Sequence, residues 1–363
     1  MDFMKVLREC QIRGHKVSVY TTEWQGEIVE NISLHLILTP NRSDHRRMKY
    51  FAGYLRKTLL EQKYDVIVGF NKLPKMDFYY CNDGCYSESL SKKGFLTYLF
   101  RWWSLRFRIY LNLERELFSR SSSTRIFYLA DKQKSDFIKH YETQSERFIQ
   151  IPPSVKRNSL IEEQRLAIRH QVRQELKIKK KDLCLLVVAV NFYLKGLDRV
   201  LKAVKELDRP EIKILAIGRD KHHHYRNYIT YLGLQEKARF LGLKEDVWRY
   251  MIASDILVHP VRYDTSAKTV IEAMVAGLPM IITENVGYLD HLRNSNAGII
   301  LGTPYKQADL EQAIMRLADQ EKRDQFRKHS LEYSHKSDWY ETPNKVVRNL
   351  EEYVKNAEKN NKS

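Results

Sequence analysis

The first half of the chain alternates between helical and strand-like spacing of its apolar residues. The opening segment DFMKVLRECQI places Phe3, Val6 and Leu7 on one helical face, and Gly14 ends that helix before a short apolar strand at 17–20. Further β-rich runs follow, separated by segments of helical spacing, at 65–69, 78–81, 126–129 and 147–151. This alternation predicts a mostly parallel sheet covered by helices.

The second half repeats the same rhythm after a strongly charged stretch at 154–182. Its predicted strands lie at 184–190, 212–217, 255–259 and 279–282. We therefore predict an α/β protein of two facing Rossmann-like, doubly wound domains with a cleft between them. The predicted domains are residues 1–154, residues 155–335, and a C-terminal helix at 336–363 that packs back toward the first domain.

The chain begins inside an α/β unit, because a helix in a parallel sheet normally follows the strand on which it packs. We therefore expect a strand to be missing from the start of the first domain.

Composition narrows the class of protein. The 363 residues include 62 Lys plus Arg against 45 Asp plus Glu, a net charge of +17, and 43% are hydrophobic, which is a globular composition. No apolar run approaches the roughly 20 residues of a membrane span, and no signal peptide opens the chain. The four scattered cysteines predict reduced thiols in a cytoplasmic protein. The charge favours an anionic partner, which could be nucleic acid, lipid headgroups or a nucleotide.

Two segments could carry chemistry at the carboxyl ends of strands. In the first, VNFYLKGLDRV, Lys195 and Gly196 lie between a strand and a helix, where a lysine can neutralise a pyrophosphate; the alternative is an ordinary loop lysine. In the second, Asp264 precedes a helix that starts near Ala267 and carries Glu272. These carboxylates could accept hydrogen bonds from sugar hydroxyls; the alternative is an N-cap and an ordinary helical Glu.

These residues carry a resemblance to a known family. EAMVAGLP, with an acidic residue eight positions before its Glu, and the Lys-Gly after a strand resemble the donor site of retaining GT-B glycosyltransferases of family 4. The branch that adds glucose to the lipopolysaccharide core is the most similar, over essentially the whole chain. The stretches that match it include RGHKVSVYT, VGFNKLPKMDFYY, NDGCY, KKGFL, ERFIQIPP, GRDK and DILVHP.

The resemblance implies a role for each matching donor-site residue. Lys195 would contact the diphosphate, Glu272 the ribose hydroxyls, and Asp264 the transferred hexose. The remaining donor-binding positions that it implies are Gly218, Arg219, Thr265, Ser266, Ala267 and Lys268.

The resemblance also implies the reaction and the acceptor side. Asp83 would lie beside the reacting centre, with Asn71 and Lys72 binding the acceptor. The implied reaction is transfer of glucose from UDP-glucose to a core heptose, with retention. No DxD motif occurs in the sequence, so we expect no metal and no cofactor beyond the UDP-glucose substrate. The catalytic candidates are therefore Asp83, Lys195 and Asp264.

The sequence departs from the family pattern at the donor site. Leu194 replaces the arginine of an Arg-Lys pair, Asp264 replaces a Glu, and Ala267 replaces a Gly. We hypothesise that Lys268 and Arg219 supply part of the missing positive charge.

Residues 92–110, KKGFLTYLFRWWSLRFRIY, combine aromatic and basic residues without an acidic one. Within a predicted helix at 94–118, this pattern is typical of a helix lying in an anionic membrane interface, although the apolar stripe could instead be core. The equivalent segment of the resembled enzymes is membrane-interacting. We therefore predict a peripheral inner-membrane protein, with membrane contacts from Lys92, Lys93, Phe100, Arg101, Trp102, Trp103, Arg106 and Arg108.

Two other classes of function remain open. The chain could be a GT-B body that binds membrane or glycolipid without turnover. It could also bind nucleic acid, which we disfavour because its aromatic residues form a helical stripe and no nucleic-acid motif occurs.

Overall fold

In a computed structural model, the chain is described at residues 2–25, 31–40, 43–91, 104–155, 160–219, 223–264 and 267–360. It divides into two compact units. Unit 1 comprises Met1–Ser154 with Asp338–Ser363, and unit 2 comprises Val155–Ser337.

Unit 1 opens with the predicted helix and strand. Its elements up to residue 150 are α1 (Asp2–Ile12), β1 (Val17–Thr21), β2 (Ile32–Leu36), α2 (Asp44–Glu61), β3 (Val68–Gly69), β4 (Phe78–Tyr80), α3 (Tyr86–Ser91), α4 (Leu105–Phe118), β5 (Arg125–Tyr128), α5 (Asp131–Tyr141) and β6 (Phe148–Gln150). Strands β1 and β2 form a parallel pair, and β3-β4-β5-β6 form a parallel sheet in that order. Strand β2 is not predicted, and β3 is shorter than the apolar run at 65–69 suggests.

Unit 2 is built around a six-stranded parallel sheet. Its elements are α6 (Glu162–Glu175), β7 (Leu183–Ala189), α7 (Leu197–Leu207), β8 (Ile212–Gly218), α8 (His223–Leu232), β9 (Ala238–Gly242), α9 (Val247–Ala253), β10 (Ile256–His259), α10 (Lys268–Val275), β11 (Met280–Thr283), α11 (Leu289–Ser295), β12 (Gly298–Leu301), α12 (Gln307–Arg316) and α13 (Gln320–Lys336). The strand order β9-β8-β7-β10-β11-β12 is that of a doubly wound Rossmann-like sheet. The predicted α/β fold class is confirmed.

The sequence of β7 explains why it lies at the centre of this sheet. Leu185, Leu186 and Val187 are all fully buried, so both faces of the strand are covered. A parallel sheet with helices on both faces requires such a continuous apolar run in place of alternation. The strand order reverses between β7 and β10, and ligands of doubly wound sheets bind at this reversal.

The C-terminal helix α14 (Thr342–Asn360) belongs to unit 1. Arg13 on the α1 side donates hydrogen bonds of 2.9 Å to Glu351 and to Asn344. Tyr353 donates to Asp77 at 3.0 Å. These contacts hold α14 against the end of α1 and against the residue before β4.

Two further predictions concern the whole chain. In the described ranges, no helix is both long enough and apolar enough to cross a bilayer. All four cysteines are free thiols, and burial raises the pKa of Cys10 to about 11 and that of Cys184 to about 12.

Candidate active site

Two loops of unit 2 meet where the strand order reverses, one after β7 and one after β10. Gly196 lies in the first loop with a φ of 77°, a conformation that favours glycine. A Cβ on Gly196 would lie 2.2 Å from the carbonyl oxygen of Pro260 in the second loop. The absence of a side chain at this position therefore allows the two loops to touch.

Arg262 ties the second loop to the first. Its guanidinium donates two hydrogen bonds to the carboxylate of Asp198, at 2.9 and 2.8 Å, and lies 3.9 Å from the ring centre of Tyr193. Its backbone N–H donates to the carbonyl of Leu194 at 2.9 Å. A bidentate pair of this kind is geometrically specific, so the loops are held in one arrangement.

This arrangement brings Lys195 and Asp264 together as an ion pair. The Asp264 carboxylate also lies 3.3 Å from Nε2 of His259, the last residue of β10. Burial opposes ionisation of Asp264, but the hydrogen bond with His259 and the charge of Lys195 outweigh it and hold the pKa of the carboxyl well below its usual range. Burial lowers the pKa of the fully enclosed His259, which therefore remains neutral and donates from Nε2.

The backbone around Asp264 is fixed as well. Its N–H donates to Asn285, its carbonyl accepts from Gly287, and its Oδ1 accepts from the N–H of Ala267 at 3.2 Å. Ala267, directly before α10, has a φ of 43°, in the left-handed region that a non-glycine residue seldom adopts. The start of α10 is therefore held beside the Lys195–Asp264 pair by a strained residue.

The other predicted donor-site residues that the structure describes lie on α10 and at the end of β8, the strand beside β7. Lys268 and Glu272 are half-buried on α10. Gly218 ends β8 so close to β7 that a Cβ would lie 1.7 Å from the carbonyl oxygen of Ala189, and Arg219 follows it exposed. Thr265 and Ser266 lie outside the described residues. The site thus combines a partly exposed cation, a helix N-terminus and carboxylates, which can bind a diphosphate and accept hydrogen bonds from hydroxyl groups.

A second cluster lies in unit 1. Asn71 and Lys72 follow β3, and Asp83 follows the adjacent parallel strand β4, so all three lie at the carboxyl edge of one sheet. Asn71 is exposed. The Asp83 side chain is 65% exposed and accepts a 2.6 Å hydrogen bond from the hydroxyl of Tyr79. Asp83 is therefore oriented by the protein and available to a ligand.

The ammonium of Lys72 points inward. It donates to the carbonyl of Gly84 at 2.8 Å and to Glu114 at 2.5 Å, and it lies 3.5 Å from Asp83. Its side chain is 12% exposed; burial opposes the charge, but Glu114 and Asp83 outweigh burial and raise the pKa of Lys72. The ammonium therefore supports the loop that carries Asp83, and acceptor binding by Lys72 itself remains a prediction.

Glu114 and Gln133 are the buried supports of this loop. The fully buried carboxylate of Glu114 accepts from the backbone N–H groups of Tyr86 and Ser87 and from the hydroxyl of Tyr141, in addition to Lys72. Gln133 donates to the carbonyls of Cys81 and Asp83 and accepts from the N–H groups of Leu129 and Ala130. Glu114 and Gln133 therefore connect the Asp83 loop to the start of α3, to the end of β5 and to α5.

Sequence reasoning missed Glu114, Gln133 and His259. Glu114 interrupts the apolar face that Leu111, Leu117 and Phe118 form on α4, and an acid in such a position needs a buried partner. That pattern could have indicated Glu114 from the sequence alone. The position of His259 at the end of a fully apolar strand is a weaker indication of a buried polar contact.

The predicted membrane segment is described only in part. Lys92, Lys93, Phe100, Arg101, Trp102 and Trp103 lie outside the described residues, and α4 is described from Leu105 onward. Arg106 and Arg108 are exposed on α4. Phe107, on the apolar stripe, is 2% exposed and clusters with Leu90 and Leu111, so this part of the stripe is core.

Known proteins resemble this chain both within unit 2 and over nearly its whole length. The family model described as glycosyl transferases group 1 matches residues 168–332. The lipopolysaccharide glucosyltransferase WaaG of Escherichia coli K12 is 32% identical over 351 residues, covering 95% of this chain and 93% of that protein. A crystal structure of WaaG, described as a glycosyltransferase involved in lipopolysaccharide biosynthesis, superposes with a TM-score of 0.86 at 31% identity, over 96% of this chain and 95% of that one. Anabaena HepE in complex with UDP and glucose superposes with a TM-score of 0.67 at 16% identity, over 88% of this chain and 86% of that one, and shares the fold.

Proposed function

Because the chain belongs to the group 1 glycosyltransferases, with the GT-B fold, we propose that it transfers glucose from UDP-glucose to a heptose of the lipopolysaccharide core, with retention. The observation that carries the proposal is the Lys195–Asp264 pair, which lies beside the N-terminus of α10 at the reversal of strand order. Doubly wound sheets bind nucleotides at this position.

The donor would be held by complementary groups. Lys195 and the positive end of the α10 dipole would neutralise the diphosphate as UDP leaves, a role that a metal ion fills in other transferases. Glu272 would accept hydrogen bonds from the ribose, and Asp264 from the hexose. Asp264 suits this task because its depressed pKa keeps it an acceptor at neutral pH.

Asp83 would face the acceptor in unit 1. Its exposed carboxylate, oriented by Tyr79, can accept a hydrogen bond from an attacking sugar hydroxyl. Asn71, exposed on the neighbouring loop, would add a polar contact to the acceptor.

The proposed location is the cytoplasmic face of the inner membrane, where the protein would bind peripherally. The net charge of +17 and the basic, aromatic segment at 92–110 both favour contact with an anionic bilayer and with a phosphorylated glycolipid acceptor. This composition does not require a nucleic-acid partner.

The test is release of UDP from UDP-glucose, measured with and without a truncated core acceptor that ends in heptose. We expect release that depends on the acceptor, and a product enlarged by one hexose. Binding of anionic glycolipid vesicles without any UDP release would instead support a non-catalytic binding protein. The replacement of the family's Arg-Lys pair by Leu194-Lys195, which leaves one cation at this position, favours that alternative.

A further inference from the structure

A groove of about 670 Å³ lies between α2 and α4 in unit 1, away from the Asp83 cluster. We call it the α2–α4 groove. Three cations of α2 line it, Arg46, Lys49 and Lys57. Two apolar residues of α4 complete it, Leu105 and Ile109.

The charge of the groove is uncompensated. No carboxylate lines it, and Arg46, Lys49 and Lys57 form no ion pair within the described ranges of the chain. Two other arginines of α2 do have partners, since Arg47 pairs with Glu23 and Arg56 with Glu116. The helix therefore presents its unpaired cations on the side that faces the groove, where they attract an anion.

The groove also exposes aromatic and apolar surface. Tyr50 is 43% exposed, Tyr54 39% and Leu105 43%, and all three line the groove. Tyrosine has an apolar body and a polar tip, which suits it to the boundary between lipid headgroups and acyl chains. Lysine and arginine reach the headgroup level in the same way.

We propose that the α2–α4 groove binds phosphates of anionic lipid headgroups at the membrane surface. The three cations, which span about 16 Å of α2, contact the phosphates of neighbouring headgroups, the two tyrosine rings lie among the headgroups, and Leu105 meets the acyl boundary. The inference rests on the proposed peripheral membrane association and adds to it the cationic face of α2, which lies beside the part of the 92–110 segment that carries Leu105 and Ile109.

Unit 2 offers a matched control for the effect of net charge alone on vesicle binding. A cavity of about 550 Å³ at the amino ends of β7 to β9 is lined by Lys179 and Lys181 among other cations. Acidic residues line the same cavity, including Glu211 and Glu236. Removing two lysines there changes the net charge by the same amount as removing Lys49 and Lys57.

The experiment measures sedimentation of the full chain with phosphatidylcholine vesicles, with and without phosphatidylglycerol, at fixed salt. Each basic residue near such a surface contributes about a fivefold gain in affinity, so the double variant K49Q/K57Q should bind about 30-fold more weakly. The control K179Q/K181Q should lose less than about threefold. Unfolding midpoints confirm that each variant is folded.

Gly53 provides a second variant that leaves every cation in place. It lies on α2 within the groove, and a Cβ there meets nothing within 4 Å. Gly53→Glu places a carboxylate among the cations and should weaken binding about fivefold relative to Gly53→Gln, which fills the same space without charge.

Equal losses of vesicle affinity in K49Q/K57Q and K179Q/K181Q would overturn the proposal that the groove binds lipid phosphate. Equal binding by the Glu and Gln variants at position 53 would overturn it as well. If the wild-type chain still binds the vesicles and transfers glucose, that result leaves the proposed function standing. A wild-type chain that transfers glucose but binds no anionic vesicle would overturn the groove and the membrane location together.

Discussion

The two candidate clusters lie at the carboxyl ends of parallel strands, one in each unit. They differ in the exposure of the carboxylate that would meet the ligand. In unit 2 the Asp264 carboxylate is the covered group, enclosed by Lys195 and His259. In unit 1 the Asp83 carboxylate is exposed, and the charges buried beneath it belong to Lys72 and Glu114.

The difference shows two ways of preparing a charged group for a ligand. Asp264 is held by direct partners, so a ligand that binds Lys195 meets a cation already in place. Asp83 is held indirectly, because the Lys72–Glu114 pair and Gln133 fix the loop and leave its carboxylate open to solvent. Preorganised groups of either kind require little rearrangement during reaction.

The buried pair of unit 1 gives the largest expected effect. Glu114→Gln removes the buried counter-ion of the Lys72 ammonium and leaves only the exposed Asp83 carboxylate at 3.5 Å, so we expect unit 1 to lose about 3–5 kcal/mol of unfolding free energy. The matched control is Glu116→Gln on the same helix, whose pair with Arg56 is about half-exposed and contributes less than about 1 kcal/mol. Denaturant titration measures both variants. Equal losses would mean that the Lys72–Glu114 pair does not support the loop.

The partly exposed cation of unit 2, Lys195, gives the next largest effect. Lys195→Met should lower kcat/KM for UDP-glucose by about 10- to 150-fold, because a charge-assisted contact is worth about 1.5–3 kcal/mol. Lys202→Met, an exposed lysine on α7, is the control and should leave the kinetics unchanged. A Lys195 variant with wild-type kinetics would remove Lys195 from the donor site.

The neutral His259 gives a pH-dependent effect. Its pKa is lowered in the folded protein, so the unfolded chain binds the proton first as the pH falls. The stability that this histidine contributes is therefore present above about pH 6.5 and declines below it, by at most about 1.4 kcal/mol per pH unit. Unfolding free energies between pH 7.5 and 5.5 should fall less steeply in His259→Asn than in the wild type, where the range follows from the reference histidine pKa of about 6.5. Identical slopes would show that the pKa of His259 is the same in the folded and the unfolded protein.

The strained residue before α10 gives the smallest effect. Ala267→Gly should stabilise unit 2 by about 0.5–1 kcal/mol, because relief of the left-handed conformation exceeds the backbone entropy that glycine loses. Ala276→Gly, at a residue with a φ of −75°, should have the opposite sign. Thermal unfolding of the two variants compares them, and destabilisation in both would show that Ala267 is not strained.

The fold was predictable where burial is complete. Strands such as β7 and β10 are buried on both faces, so they appear in the sequence as continuous apolar runs. Strands β2, β9 and β12 were missed because their residues are mostly half-buried. These strands are also only four or five residues long, so their apolar pattern does not distinguish a strand from a loop.

The site was predictable only in part. Lys195 and Asp264 follow from a local motif and a resemblance, since each lies at a fixed distance from a strand end or a helix start, and the structure brings them together; the role of Glu272 stays a prediction. The supporting roles of Glu114 and Gln133 depend on partners 27 to 52 positions away, and a sequence pattern does not show which loop a buried side chain will hold. The inward direction of Lys72 was missed for the same reason.

On this account, the Lys195 cluster binds the donor and the Asp83 cluster binds the acceptor. The most direct test of this assignment is calorimetric titration of UDP-glucose into the wild-type chain, Lys195→Met and Asp83→Asn. We predict that Lys195→Met weakens binding by about 10-fold or more, and that Asp83→Asn binds UDP-glucose as the wild type does but no longer transfers glucose to the acceptor. Weakened donor binding in Asp83→Asn, with unchanged binding in Lys195→Met, would contradict the assignment of donor and acceptor to the two clusters.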